Sequence, residues 1–317
     1  MKDTNYAFCV ARIRALENKL LKAEDIKSLI EKKSYSEAAS FLAEKGYRCD
    51  EADLDAIIQG EGDRLQKILA ESVPDKNELS LLYLINDFFN IKAIVKCAAA
   101  SVDVKDYLVY PSMVTATDNS SELFSGLSEK YREVALKAYN IALKTGNGKF
   151  SDAIIDRAAI DALCEASKSK KSGLVGKICS FIADTANIKI AFRCAETEQD
   201  SDYISEAIGL CSKLDRDKLI SRALDGKEAL LEFLSGTDYK EGVKIYADTP
   251  SDFEKWCDEE LISMTKSAVY TSFGFDPVVS YYYRKNMEIK TVRMILTALK
   301  SNTDKNIINE RVRKFYA

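Results

Sequence analysis

A carboxylate and an amide stand three residues apart in "DFFNIKAIVK", as Asp87 and Asn90. The same pair returns in "DTANIKIAFR", as Asp184 and Asn187, and a third stretch, "KNMEIKTVRM", has Lys285 and Glu288 at the matching places. Residues three apart share a flank of a helix, so each pair can act together. The chemistry open to such pairs is hydrogen bonding and charge pairing. The 317 residues include no histidine, the side chain whose unperturbed pKa lies near neutrality. Its absence removes every Ser-His or Cys-His mechanism and every histidine-containing metal site. No spacing among the Asp and Glu residues singles out an acid–base pair. "GLVGKI" (173–178) has a Gly-Lys pair but lacks the GxxxxGK[ST] spacing and a preceding strand, so it is not a phosphate loop. The eight cysteines (Cys9, Cys49, Cys97, Cys164, Cys179, Cys194, Cys211 and Cys257) contain no CxxC pair. Most adjoin apolar residues in helix-like runs, which predicts buried, reduced thiols of the kind a cytosolic chain carries. Neither a cofactor nor a metal is expected, and the balance moves from catalysis to binding or structure.

The elements that must position these pairs are helical. The four prolines (Pro74, Pro111, Pro250, Pro277) and most of the 13 glycines fall between periodic stretches. Within those stretches apolar residues recur at three and four, as in Cys9, Ile13, Leu16 and Leu20, and strict alternation is almost absent. The reading is an all-α protein with helices near 3–22, 25–32, 35–45, 50–59, 62–71, 77–100, 121–144, 150–168, 173–196, 201–213, 215–223, 226–235, 250–270, 276–300 and 304–315. Asp25, Asp217 and Ser251 read as N-caps, and 101–120 reads as a linker. With 30% charged and 46% hydrophobic residues the chain is a folded globular one. Its formal charge is −4 and its basic runs, such as "KSKKSG" (168–173), are short, so no nucleic-acid footprint is expected. The first 20 residues hold no continuous apolar signal core, and no stretch approaches the roughly 20 apolar residues of a membrane helix.

Aligning the three segments on Asn90, Asn187 and Glu288 puts them 97 and 101 residues apart. One position on stand Ile91, Ile188 and Ile289, and two on stand Lys92, Lys189 and Lys290. Ile94, Ala191 and Val292 lie four on, and Ile85, Ile182 and Tyr283 five before. Positions −6, −5, −2, +1 and +4 form one apolar face, from which the lysine points away. A second echo joins 25–47 to 217–239, each beginning with Asp and ending with Phe-Leu and then Tyr (Tyr47, Tyr239); Phe124 and Tyr131 are its remnants in a shortened middle copy. A period near a hundred exceeds the roughly 20–50 residues of solenoid repeats and matches a small domain. Three helical repeat domains are therefore expected, at about 1–105, 106–205 and 206–317. Whether they string out or close around an axis is left open by the pattern itself.

The opening "YAFCVARIRALENKLL" with "EDIKSLIEKKSYSEAASFL" resembles the start of the C subunit of the archaeal and bacterial A/V-type rotary ATPases, a relative of the d subunit of eukaryotic V-ATPases. The closing "YYYRKNMEIKTVRMILTALKSN" with "INERVRKFY" is similar to that family's last helices, and the "DxxNIK" segments to its internal repeats. The resemblance implies three similar helical domains around a pseudo-three-fold axis, forming a funnel. It implies a non-catalytic central-stalk component that couples the membrane rotor ring to the central shaft during proton or sodium transport. Its partners would be the shaft subunits and the ring, on the cytoplasmic face of the membrane and without insertion, and the isolated chain would be a monomer. The candidate partner contacts are Arg12 and Arg14 in the first helix and the three aligned lysines, Lys92, Lys189 and Lys290. Two readings stand for Asn90 and Asn187: contact with the shaft, or satisfaction of neighbouring groups within each domain. The lysines likewise face a partner or simply water, and Arg14 reaches Glu17 or Asn18 on its own helix. The aromatic residues Tyr281, Tyr282, Tyr283 and Trp256 read as core. The alternative function is a generic helical scaffold or adaptor with soluble partners.

Overall fold

Apolar stripes at helical spacing need something to bury against, and in the computed structural model they find it in other helices. The structure describes residues 6–49, 53–115, 124–168 and 173–313. The expected helix portions at 3–5, 50–52, 121–123 and 314–315, and residues 169–172 of the basic run, lie outside the described residues. The described residues are all-helical, with no strand among them. In chain order the helices are α1 (Ala7–Glu17), α2 (Ala23–Ile30), α3 (Tyr35–Glu44), α4 (Leu54–Ser72), α5 (Lys76–Ala100), α6 (Glu129–Thr145), α7 (Gly148–Ser167) and α8 (Gly173–Glu196). They continue as α9 (Ser201–Ala207), α10 (Arg216–Asp225), α11 (Lys227–Ser235), α12 (Lys240–Asp248), α13 (Pro250–Thr265), α14 (Asp276–Lys300) and α15 (Lys305–Arg311).

Several boundaries differ from those expected. Residues 50–59 and 62–71 were expected to form two helices broken at Gly60 and Gly62, yet α4 runs unbroken from Leu54 to Ser72. Each glycine costs about 1 kcal/mol against alanine in a helix; packing on α1 and α14 offsets this. The expected helix 201–213 stops at Ala207, because residues 208–213 form a strap held by another helix. Helix α12 was not expected, since glycines at 236 and 242 and the polar run between them masked its stripe of Val243 and Tyr246. The caps are shifted too. Asp215, not Asp217, caps α10 by accepting from the Lys218 amide. Asp25 sits one turn inside α2 and accepts from the Lys22 amide at 2.9 Å. Ser251 lies within the first turn of α13.

Contacts divide the chain into two compact units, Met1–Leu79 with Glu254–Ala317, and Ser80–Phe253. The first unit is built from both ends of the chain. Leu21, Ile26, Leu29, Ile30, Ala38, Leu42 and Ile57 share one buried cluster with Val292, Ile295, Leu296 and Ile308. The second unit centres on α8, which is buried around most of its circumference, as a helix apolar on most sides must be. There Phe192 stacks on Tyr246 with ring centroids 4.2 Å apart, and Tyr246 meets Phe253 edge-on. All eight cysteines are free thiols, six of them buried. Among the described residues no helix is long and apolar enough to cross a membrane.

Gly60 offers a direct check. A Cβ placed there meets nothing within 4 Å, and the residue lies inside α4. Gly60→Ala therefore stabilises the chain by about 0.5–1 kcal/mol, read as a higher urea midpoint with an unchanged m-value.

Candidate functional site

The repeated polar pairs meet backbone. In α5, Asp87 is fully buried, and one of its oxygens accepts from the Ser112 hydroxyl at 2.6 Å and the Met113 amide at 2.7 Å. The Tyr131 hydroxyl, from α6, faces this carboxylate, whose second oxygen is buried without a hydrogen-bond partner among the described residues. One turn on, Asn90 accepts from the Val109 amide at 2.8 Å and donates to the Val109 carbonyl at 3.0 Å and the Val114 carbonyl at 3.1 Å. The pair thus holds residues 109–114, the middle of the expected linker, along the helix flank as if it were a neighbouring strand.

The second copy repeats the device. Asp184 accepts from the amides of Ser212 at 2.8 Å and Lys213 at 2.9 Å, and from the Tyr239 hydroxyl at 2.7 Å. Asn187 accepts from the Gly209 amide at 2.9 Å and donates to the Leu210 carbonyl at 3.0 Å. This strap is why α9 ends early. Its backbone runs so close to α7 that a Cβ on Gly209 would lie 2.8 Å from Ile160, a contact only glycine avoids.

The third copy does the same work with charges exchanged. Glu288, 1% exposed, accepts from the Leu21 amide, the Tyr47 hydroxyl and the Lys285 ammonium, each at 2.6 Å. Lys285 also pairs with buried Glu61 of α4 at 2.8 Å and lies over the Tyr47 ring. The strap held here is the turn after α1, at the other end of the chain from α14. Each acidic residue therefore receives a backbone amide and has a tyrosine beside it: Tyr131 faces Asp87, Tyr239 donates to Asp184 and Tyr47 donates to Glu288. The tyrosines are the ones that close the second sequence echo. That echo was the signal for them, although its spacing alone assigned them no role; Glu61 left no such signal.

Burial sets the protonation of this network. It raises Asp87 above the ordinary carboxylate range, against the opposing pull of the hydrogen bonds from Ser112, Met113 and Val114 and of the Tyr131 hydroxyl. It pushes Tyr131 up to about 12, helped by the Asp87 charge. Tyr239 is raised further by burial and Asp184.

Of the five candidate contacts, Arg12 bridges from α1 to the end of α4, donating to Ser72 at 3.0 Å and Glu71 at 2.9 Å. Arg14 pairs with Glu17 at 2.7 Å, as its spacing suggested, and donates to the carbonyls of Ala268 and Thr271, both at 2.8 Å. Lys92 meets Asp156 of α7 at 2.5 Å, and Lys290, exposed on α14, meets Asp258 at 2.8 Å. Lys189 lies half-buried on α8. Arg12, Arg14 and Lys290 belong to the first unit, and Lys92 and Lys189 to the second. Asn90 and Asn187 are fully buried, and both satisfy backbone groups. Among the described residues no group of three or more His, Cys, Asp or Glu is placed to hold a metal ion.

The family model described as ATP synthase (C/AC39) subunit matches residues 9–311. The chain belongs to this family. The C/AC39 chain is 22% identical to the C subunit of the V-type sodium ATPase of Enterococcus hirae, over 96% of its own length and 97% of the relative's. It is 23% identical to the C subunit of the A-type ATP synthase of Methanosarcina acetivorans, over 98% and 93%. With the counterpart from Methanothermobacter thermautotrophicus it shares 22% identity over 92% and 83%. These matches run nearly end to end, so all three clasps of the C/AC39 chain fall inside the shared length.

Two outcomes test the clasps. Asp184→Ala leaves two amides and a hydroxyl without their acceptor and lowers stability by about 3 kcal/mol or more, whereas Tyr239→Phe costs about 1–2 kcal/mol. The double variant costs less than the two summed, because both remove one bond. The pH dependence follows from Tyr131. Its folded value, about 12, lies above the ordinary tyrosine value of 10.0. The stabilisation is thus whole below pH 10 and lost as pH rises from there through 12, since the unfolded chain gives up its proton first. Between about pH 10 and 11.5 the unfolding free energy of Tyr131→Phe, from urea titrations, falls less steeply than that of the unsubstituted chain, by up to about 1.4 kcal/mol per pH unit.

Proposed function

We propose that this chain is the non-catalytic central-stalk component of a V/A-type rotary ATPase, joining the membrane rotor ring to the central shaft while protons or sodium ions are moved. The observation that carries the reading is the family match over residues 9–311, with relatives named as the C subunits of a sodium ATPase and of ATP synthases. On this reading its partners are the shaft subunits and the ring, and it lies on the cytoplasmic side, attached to the membrane through the ring. The isolated chain is a monomer, because those partners are different proteins.

The clasps fit a part that bears load. Each motif pair spends most of its polar atoms on its own fold, so the motifs stiffen rather than bind. The order in which they join is cyclic: the helix of the first copy holds the tyrosine of the second, the second holds that of the third, and the third holds Tyr47 of the first. Three domains at about 1–105, 106–205 and 206–317, each fastened to the next, would produce this order. Hydrogen bonds to buried carboxylates resist sliding better than apolar contact alone, which is non-directional.

The test is a pull-down of the tagged chain from membranes dissolved in mild detergent, read by mass spectrometry. Ring, shaft and catalytic-head subunits in fixed proportion are the expected result. Recovery of soluble proteins alone would instead leave a helical adaptor.

A further inference from the structure

The three clasps use their carboxylates differently. In the second, both oxygens of Asp184 accept: one from the Ser212 amide, the other from the Lys213 amide and the Tyr239 hydroxyl. In the third, both oxygens of Glu288 accept, and the Lys285 ammonium answers the charge. Asp87 loads one oxygen only. Its Oδ1 accepts from the Ser112 hydroxyl at 2.6 Å and from the amides of Met113 and Val114 at 2.7 and 3.3 Å. Its Oδ2 is buried and has no hydrogen-bond partner among the described residues. Nor does Asp87 make an ion pair among them. The lysines that follow it on α5, Lys92 and Lys96, are held by Asp156 and Asp152 on the opposite flank of the helix. The titratable groups that do face Asp87 are phenols: Tyr83, one turn back on α5, and Tyr131, from α6. Burial and the Asp87 charge raise both above the ordinary tyrosine value, so both stay neutral. The strap faces Asp87 with Ser112 and two amides. An ionised carboxylate with one bare oxygen is costly in such a place. A carboxylic acid is not, because one of its oxygens accepts while the other carries a donor.

We propose that Asp87 is a proton-binding site: a proton taken from water sits on Oδ2, directed at the Tyr131 hydroxyl oxygen, while Oδ1 keeps hold of the strap. The bound proton removes the buried charge and gives Oδ2 the partner it lacks. The direction in which burial moves the Asp87 carboxyl, above the ordinary carboxylate range, agrees. In the unfolded chain the same carboxyl binds its proton with the ordinary value of 3.8, so proton uptake is coupled to the closed clasp. The stability that the proton adds is whole below that value and is lost as pH rises through the higher, folded one. The first clasp therefore tightens with acid, and residues 109–114 are held more firmly with it.

Asparagine carries an N–H where the acid carries its O–H, so Asp87→Asn copies the occupied site. Asp184→Asn does the opposite, because both oxygens of Asp184 face donors and its new N–H meets one of them. Urea unfolding of the full chain and of both variants between about pH 4 and 8 separates the two cases. Asp87→Asn is expected to match or exceed the unsubstituted chain at the upper end. The ratio of their unfolding constants moves in the variant's favour by up to about tenfold per pH unit as pH rises. Asp184→Asn is less stable throughout. Infrared spectra of the unsubstituted chain, labelled with carbon-13 at aspartate, read the proton itself and do not depend on a variant that folds. A protonated-carboxyl band is expected at pH values where surface carboxylates are ionised, and it is lost in Asp87→Asn. An Asp87→Asn chain as destabilised as Asp184→Asn, gaining nothing as pH rises, would overturn the proposal. So would spectra of the unsubstituted chain with no such band.

Discussion

A carboxylate with no access to water must find donors, and in this chain that demand organises the architecture. Asp87, Asp184 and Glu288 lie on the three repeat helices, each 0–1% exposed. Left unpaired, any of them would cost several kcal/mol. Each accepts from one or more amides of a chain segment that would otherwise wander between helices, with a tyrosine hydroxyl from beyond that segment beside it. The clasp therefore fixes where the chain goes after a helix as well as what the helix packs against. Apolar packing alone would hold the helices but leave the straps free to slide.

The third clasp shows how tolerant the scheme is. Exchanging Asp for Lys285 and Asn for Glu288 moves the carboxylate one turn along α14, yet it still reaches an amide and a tyrosine. The exchange puts an ammonium into the interior, and Glu61 answers it from the glycine-flanked middle of α4. This gives a reason for α4 to stay helical through Gly60 and Gly62: a break there would carry Glu61 away from Lys285.

Much of this was legible in the sequence. Periodicity located the helices that own a full apolar stripe, and the repeat marked Asp87, Asn90, Asp184 and Asn187 as a set. What it missed shares a physical cause. The straps at 109–114 and 208–213 have no period of their own; their conformation is imposed by side chains roughly twenty or more residues away. Helix α12 is short and glycine-flanked, so tertiary packing rather than propensity makes it. Lys92 and Lys290 stood out as free charges because their partners, Asp156 and Asp258, lie on other helices at separations no local pattern encodes.

The shared core of the two chain ends bears on how the molecule is made. During synthesis residues 21–57 leave the ribosome more than 200 residues before the side chains that cover them, Val292, Ile295, Leu296 and Ile308. Residues 80–253 form a contiguous body and can fold on the way. The earlier segment must instead wait, its apolar stripes uncovered, until α14 has been made. Its most sequence-distant contacts set the pace of completion, and a chain that stops short of α14 leaves the ribosome with the cluster around Leu29 and Leu42 open to aggregation.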